Sequence, residues 1–336
     1  MNGPLDRLPA EQRELLRPAA QAPGAPMLAT LTDRRDFDDD WIFERKLDGI
    51  RVLATRNREE ARLLSRGGTS LNDTYPEVVD ALTAEQRADF TVDGEMVALH
   101  RGRTDFARLQ QRSGLTDPAA ARRSGVKVTL YLFDLLRLDG HDTTRLPLRT
   151  RKILLRDALD FHRPLSYTPH RNSNGHKLLN QACARGWEGL IAKRADTSYV
   201  HRRSTDWLKL KCAGGQEFVV GGFTEPAGSR VGFGALLLGY YEDGRLRYAG
   251  KVGTGWDAAA LRTLRARLNH LEQPRSPFHG EVRERRAHWV RPELVAQIGF
   301  TEWTRDGMLR HPRYLGLRDD KPAREVVREQ PTGRTG

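Results

Sequence analysis

Cysteine is nearly missing from this chain: Cys183 and Cys212 are the only two among 336 residues. Two thiols cannot build a disulfide framework or a four-ligand zinc site. They are expected to be buried or incidental thiols in a reducing compartment. Long apolar runs are missing too. No stretch reaches the roughly 18 residues that a membrane-crossing helix needs, and the N-terminus lacks the basic-then-apolar layout of a secretory signal. A soluble cytoplasmic protein without a membrane partner is expected, and a monomer. There is no internal repeat and no low-complexity block. Acid is in short supply, with 44 Asp plus Glu against 56 Lys plus Arg and a formal net charge of +12. Such an excess favours a polyanionic partner, because each neutralised phosphate releases a condensed counterion. Composition alone would serve a merely soluble basic protein equally well.

What is present fits more than one hydrophobic core, since 336 residues exceed what one usually serves. Residues 1–25, rich in Pro, Ala and Gly, read as a flexible arm with a short helix at "AEQRELL". From "WIFERKLDGIRVLATRN" onward the texture is that of strands, which continue in "FTVDGEMVAL" and "KVTLYLFDLLRLDG". "LRTRKILLRDALDF" and "HKLLNQACARG" carry helical spacing, the second with Gly186 as its cap. "EGLIAKR" and "DWLKLKC" return to strand. At "CAGGQEF" the texture changes, and Gly214 and Gly215 suit a hinge near residues 212–216. Beyond it lie about five strands, a hairpin at Glu242-Asp243-Gly244 and one amphipathic helix near "DAAALRTLRARLNHL". That inventory fits a small β-barrel of the oligonucleotide-binding (OB) type. The fold class is α+β: a first domain with a mixed or antiparallel sheet over 26–212, a barrel over 213–325 and a disordered tail over 326–336.

Chemistry enters at "ERKLDGIR", residues 44–51. A lysine is protonated at neutral pH and becomes a nucleophile only where burial or neighbouring cations disfavour the ammonium form. If Lys46 is such a nucleophile, other lysines should converge on it. Lys209 and Lys211 in "WLKLK" would share one face of a strand and could grip a phosphate. Two solvent-facing lysines on an edge strand would read the same way. "VDGEMVAL" places Asp93 and Glu95 on one face, and "WEGLIAKR" supplies Glu188 and Lys193. Phosphoryl transfer needs a divalent cation on a few carboxylates, for which Glu95 and Glu188 are candidates, while Asp48 could orient the lysine or coordinate. Surface carboxylates would look the same. Phe133 offers a stacking face to a base, although an isolated phenylalanine is more often core.

The order of these segments is more specific than any one of them. "ERKLDGIR", "SRGG", "VDGEMVAL", "LYLFDLL", "EGLIAKR", "WLKLK" and "RYLGLRDDK" follow one another as do the motifs of covalent nucleotidyltransferases. From Pro26 to about Lys321 the chain resembles ATP-dependent DNA ligases. Its flanks "PMLATL" and "GFTEWTRDGMLRHPRYLGLRDDKP" look most like the ligase module of bacterial end-joining ligase D and its stand-alone relative ligase C.

The resemblance implies an adenylation domain followed by an OB barrel that swings about the hinge. It implies that Lys46 takes AMP from ATP, with Asp48, Arg51, Lys209 and Lys211 also catalytic. Glu44 and Phe133 would hold adenine, Glu95 the ribose, and Arg51 and Arg66 the AMP or the 5′-phosphate of a nick. Glu188 and Glu95 would hold Mg2+ or Mn2+, Lys193 would join the nucleotide site, and Lys209 and Lys211 would grip the α-phosphate. Arg318 and Lys321 would orient pyrophosphate. Partners implied are nicked or broken duplex DNA, gripped by Arg262, Arg265, Arg283, Arg285 and Arg286, and a Ku homodimer. An RNA ligase, a capping-type guanylyltransferase and a non-catalytic DNA-binding module are the competing readings. The cysteine set of NAD-dependent ligases is not found, which favours ATP.

Overall fold

The structure, a computed structural model, describes residues 3–329 except 21, 33, 35, 59, 173, 213–214, 227–231, 257, 301 and 305. The chain divides into two compact units, the first running to Cys212 and the second covering Ala213–Glu329.

Two sheets make the first unit. Its labelled elements are β1 (Leu28–Leu31), β2 (Trp41–Arg45), β3 (Ile50–Asn57), β4 (Glu60–Ser65), α1 (Pro76–Ala84), β5 (Asp89–His100), β6 (Val128–Leu138) and α2 (Leu148–Ala158). They continue with β7 (His170–Arg171), α3 (Gly175–Ala184), β8 (Gly189–Arg194) and β9 (Arg203–Lys211). One sheet pairs β6, β5, β3 and β4 in that order, with short strands at Arg17–Pro18, His141–Asp142 and Leu165–Tyr167 adding at or beside β6. The other runs β7-β2-β8-β9-β1, antiparallel except for the parallel β9–β1 pair. The first sheet buries one face against α1 and α2, where Val78, Leu82, Leu154 and Leu155 meet Val52, Val92, Leu130 and Leu132. The second sheet buries Trp41, Phe43, Leu190 and Leu210 against Leu179 and Ala182 of α3. Strand alternation sends the intervening side chains to the opposite face. Another cluster, Met27, Leu53, Phe133, Leu136, Tyr199 and Trp207, joins the inner faces of the two sheets.

The expected flexible arm is held instead. Its short helix forms at Ala10–Arg13, Leu5 and Leu8 are buried in the first core, and Arg17–Pro18 pairs with His141–Asp142. Two leucines in a Pro- and Ala-rich segment were enough apolar surface to dock it. The two cysteines also differ from expectation: Cys183 at the end of α3 and Cys212 just past β9 form a disulfide, and Cys183 is exposed. Helix and strand bring their Cα atoms to 5.2 Å, a distance that a disulfide spans, although 29 positions separate them in sequence.

The second unit contains β10 (Gly215–Thr224), β11 (Leu236–Glu242), β12 (Arg245–Val252), α4 (Ala258–His270), β13 (Ala287–Val290), β14 (Val295–Gly299) and β15 (Arg313–Leu317). β10 is its spine. It pairs with β11 on one side, and on the other with β14 through its first half and β13 through its last residues. The hairpin between β11 and β12 turns at Asp243 and Gly244, both at positive φ, as a two-residue hairpin of this twist requires. The start of the expected tail, residues 326–329, is ordered instead. Val326 is fully buried, its carbonyl accepts from Tyr241 N–H at 2.7 Å, and Glu329 N–H donates to Gln216 Oε1 at 3.1 Å. Residues 330–336, and Gly214 of the expected hinge, lie outside the described residues. Among the described residues no helix is long and apolar enough to cross a membrane.

Candidate active site

β2 and β8 set the site by register. Glu44 lies opposite Ile191, and Ile191 opposite Lys209, while Gly189 lies opposite Lys211. The Lys46 backbone N–H donates to Gly189 O at 3.0 Å and extends the row past the end of β2. Side chains directly opposite share a face, and so do residues two apart. Glu44, Lys46, Ile191, Lys193, Trp207, Lys209 and Lys211 therefore stand on the inner face of the second sheet. This register puts Lys209 and Lys211 on the same face as Lys46. On the facing sheet Arg51 pairs with Glu95 and Leu53 with Asp93, which puts Asp93 and Glu95 on one face as expected. Gly189 has a φ of +151°, and a Cβ there would fall 1.9 Å from Leu210 O, so the close β8–β9 approach beside Lys46 requires glycine.

Lys46 is 17% exposed, and its Nζ lies 2.5 Å from Glu188 Oε2. Burial by itself would lower its pKa. Glu188 first, then Asp48 and Glu95, outweigh that and leave it raised. This corrects the expectation that the site disfavours the ammonium form, because three carboxylates face this amine. A lysine with a depressed pKa does occur, but it is Lys193. It is 2% exposed, and burial together with the charge of Lys152 brings it down to about 8, against the opposing pull of Glu44.

Glu44, expected on adenine, holds both of these lysines. Its carboxylate lies 2.5 Å from Lys152 Nζ and 2.6 Å from Lys193 Nζ. Burial would raise its pKa, but the two cations prevail and hold it below the ordinary carboxylate range. Lys152 also donates to Thr168 O at 3.1 Å. The sequence reading did not single out Lys152. The helical spacing of "LRTRKILL" placed it on α2, but nothing local marks a partner 108 positions away.

Phe133 is buried, with Lys193 Nζ 4.1 Å and the Arg51 guanidinium 4.6 Å from its ring centre. Arg51 forms a two-pronged pair with Asp93 at 2.5 and 2.6 Å, and Tyr199 OH donates to the same carboxylate at 2.6 Å. Burial opposes the Arg51 charge, yet Asp93 raises its pKa further. Arg66 lies in the turn just past β4. In the second unit, Lys321 donates to Glu217 at 3.1 Å and Arg318 forks onto Asp320 at 2.9 Å. Arg318 Nη1 stands 3.9 Å from the same Glu217. Of the arginines expected to grip DNA, Arg265 is folded over Phe223 at 4.5 Å, and Arg283 pairs with Glu281 at 3.2 Å. Arg262, Arg285 and Arg286 are exposed.

A cation site was sought among these carboxylates. No group of three His, Cys, Asp or Glu side chains converges among the described residues. Glu188 and Glu95 both act on Lys46. Two protein carboxylates suit a hard cation that completes its shell with phosphate and water oxygens, and not one caged by protein alone.

Comparison with known proteins places this geometry. Residues 26–211 match the family described as ATP dependent DNA ligase domain, and residues 229–321 match the ATP dependent DNA ligase C terminal region. A multifunctional non-homologous end joining protein LigD of Pseudomonas aeruginosa is 39% identical over 92% of this chain and 37% of its own length. The LigD of Mycobacterium tuberculosis is 37% identical over 91% of this chain and 40% of its own length. The chain thus spans about two fifths of these relatives. A solved mycobacterial DNA ligase D, complexed with ATP and MES, superposes with a TM-score of 0.66 at 34% identity, covering 91% of this chain and 98% of that one. The α+β class, with an adenylation domain and an OB-like C-terminal domain, agrees with the sequence reading, and the chain belongs to the ATP-dependent DNA ligases.

Proposed function

We propose that this protein seals nicks or ends in duplex DNA at the expense of ATP, acting in bacterial end joining. The observation that carries the reading is the row Lys46–Gly189–Lys211 with Lys209 beside it, a half-buried amine on the face that bears two further lysines. In the first reaction Lys46 Nζ attacks the α-phosphorus of ATP, a nitrogen–phosphorus bond forms and pyrophosphate leaves. A 5′-phosphate oxygen of the broken strand then takes the AMP from Lys46. Finally the neighbouring 3′-hydroxyl attacks that 5′-phosphorus, joins the strand and expels AMP.

The residues have separable tasks. Lys209 and Lys211 neutralise the α-phosphate, which in-line displacement needs more than covalent help. Arg51, fixed by Asp93, and Glu95 would hold the ribose and phosphate, and Phe133 and Glu44 the base. Lys46 must lose a proton before it attacks, so Glu188 has to release it. A divalent ion, Mg2+ or Mn2+, would be held by Glu188 and Glu95 and would supply positive charge at the α-phosphate when bound. Arg318 and Lys321 would orient pyrophosphate in a closed arrangement, after which the barrel swings away for DNA. A Ku homodimer fits as the partner that presents ends, with the enzyme working as a monomer in the cytoplasm.

Mass spectrometry tests the core of this. Incubation with ATP and Mg2+ should add one AMP to the protein, pyrophosphate should remove it, and Lys46→Ala should abolish both the adduct and nick sealing. Labelling by GTP but not ATP would sink the assignment in favour of a capping-type enzyme.

A further inference from the structure

One side chain of α2 reaches both sheets of the first unit. Lys152 is 1% exposed, and its Nζ stands 2.5 Å from Glu44 Oε1, 3.1 Å from Thr168 O and 3.5 Å from Phe133 O. Glu44 belongs to β2 of the second sheet and Phe133 to β6 of the first, while Thr168 follows the short strand Leu165–Tyr167 beside β6. A single ammonium therefore ties the two sheets together, and it does so at Glu44 and Phe133, the pair expected to hold a base. Its own place is fixed as well. The preceding residue, Arg151, forks onto Asp134 at 2.7 and 2.9 Å and donates to Thr197 O at 3.0 Å. This clamps α2 to β6 one residue beyond Phe133.

Stability alone does not account for Lys152. Glu44 is already paired with Lys193 on the neighbouring strand β8, at 2.6 Å, and Arg151 balances Asp134. Lys152 leaves this buried group with one positive charge in excess, and an uncompensated buried charge is costly. What the second ammonium adds is geometry. A carboxylate held by one flexible amine can pivot. Held through Oε1 by Lys152 and through Oε2 by Lys193, it cannot turn without breaking a charge-assisted contact. Its oxygens keep lone pairs for a further donor.

We propose that Lys152 is a positioning residue for base recognition, aiming the Glu44 carboxylate and, through Phe133 O, the stacking ring at the adenine of ATP. This rests on the reading of Lys46 as the residue that takes AMP. The exocyclic amine of adenine donates hydrogen bonds and suits a fixed carboxylate oxygen, whereas the oxygen that guanine carries at that position is repelled by it. Lys152 acts through Glu44 and Phe133, so its task is preorganisation for the nucleotide and not the displacement at phosphorus.

The test follows adenylation of Lys46 in the full chain with ATP and with purine riboside 5′-triphosphate, which lacks the exocyclic amine. The parent should prefer ATP by about tenfold or more in kcat/KM. Lys152→Met, which leaves Glu44 and Lys193 as a balanced pair, should raise KM for ATP by about tenfold and lower kcat less. It should also bring the two nucleotides within about threefold of each other. A loss of packing alone would weaken both nucleotides alike and leave their ratio unchanged. Lys152→Gln is the second variant, and either one that keeps the parent's cooperative thermal unfolding decides. A folded variant that retains the parent's preference for ATP overturns the proposal. No preference in a parent that does label with ATP means that Glu44 does not meet the amine, which overturns the proposal and leaves Lys46 as the acceptor. No adduct from ATP in the parent overturns the reading of Lys46, and the proposal with it.

Discussion

Glu44 is 3% exposed and shares its single negative charge between two buried ammonium groups, Lys152 and Lys193, so this cluster carries one positive charge too many. Lys193 bears the consequence. In the unfolded chain it has the ordinary pKa of 10.5, and folding lowers it to about 8. Between those values the unfolded chain binds the extra proton, so stability rises with pH across that window on account of this residue. Lys193→Met should remove that rise. Unfolding free energies measured at pH 8 and pH 10.5 should differ between parent and variant by up to about 3 kcal/mol, and parallel profiles would contradict the assignment. Lys46 behaves in the opposite sense, its raised pKa keeping it charged in the free enzyme. The sequence made Lys46, Glu188, Lys209 and Lys211 legible because motif spacing and strand alternation are local. The Lys46–Glu188 ion pair and the Lys152–Glu44 contact join distant segments and leave no local trace.

Among the elements, β8 has the largest part, being bonded on one side to the strand leading into Lys46 and on the other to the strand bearing Lys209 and Lys211. Its apolar run "GLIA" was readable as a strand, and the helical spacing of α2 and α3 was readable as well. What the sequence could not supply was the docking of α3 on β8 and β2, with Cys183 bonded to Cys212 just past β9. That closure spans 29 positions, and loop entropy of this size is worth about 3–4 kcal/mol. Cys183→Ser, at an exposed position with little packing to lose, should lower stability by roughly that amount. Thermal unfolding should also shift with reductant in the parent and not in the variant. Equal midpoints under oxidising and reducing conditions would remove the bridge from the argument.

At the scale of the whole molecule, a net charge of +12 favours phosphate contacts with the proposed substrate, duplex DNA. Raising salt from 50 to 200 mM should weaken binding to nicked duplex tenfold or more, while changing the sequence around the nick should matter little. A shallow salt dependence in an electrophoretic or anisotropy titration would argue against it. The change of texture near residue 213 was visible as a shift from alternating strands to paired glycines. The ordered ends were not, because Leu5, Leu8 and Val326 are among few apolar residues in otherwise polar or Pro-rich stretches, and only the folded core shows where they dock. The clasp between Glu329 and Gln216, 3.1 Å from amide to side-chain oxygen, closes the second unit on itself, its first strand and its last residues meeting at one corner. The unit is thus a cassette whose two cut ends lie side by side. It could be transplanted into a host loop, or rejoined end to end with new termini at the Asp243–Gly244 turn, without stretching any strand.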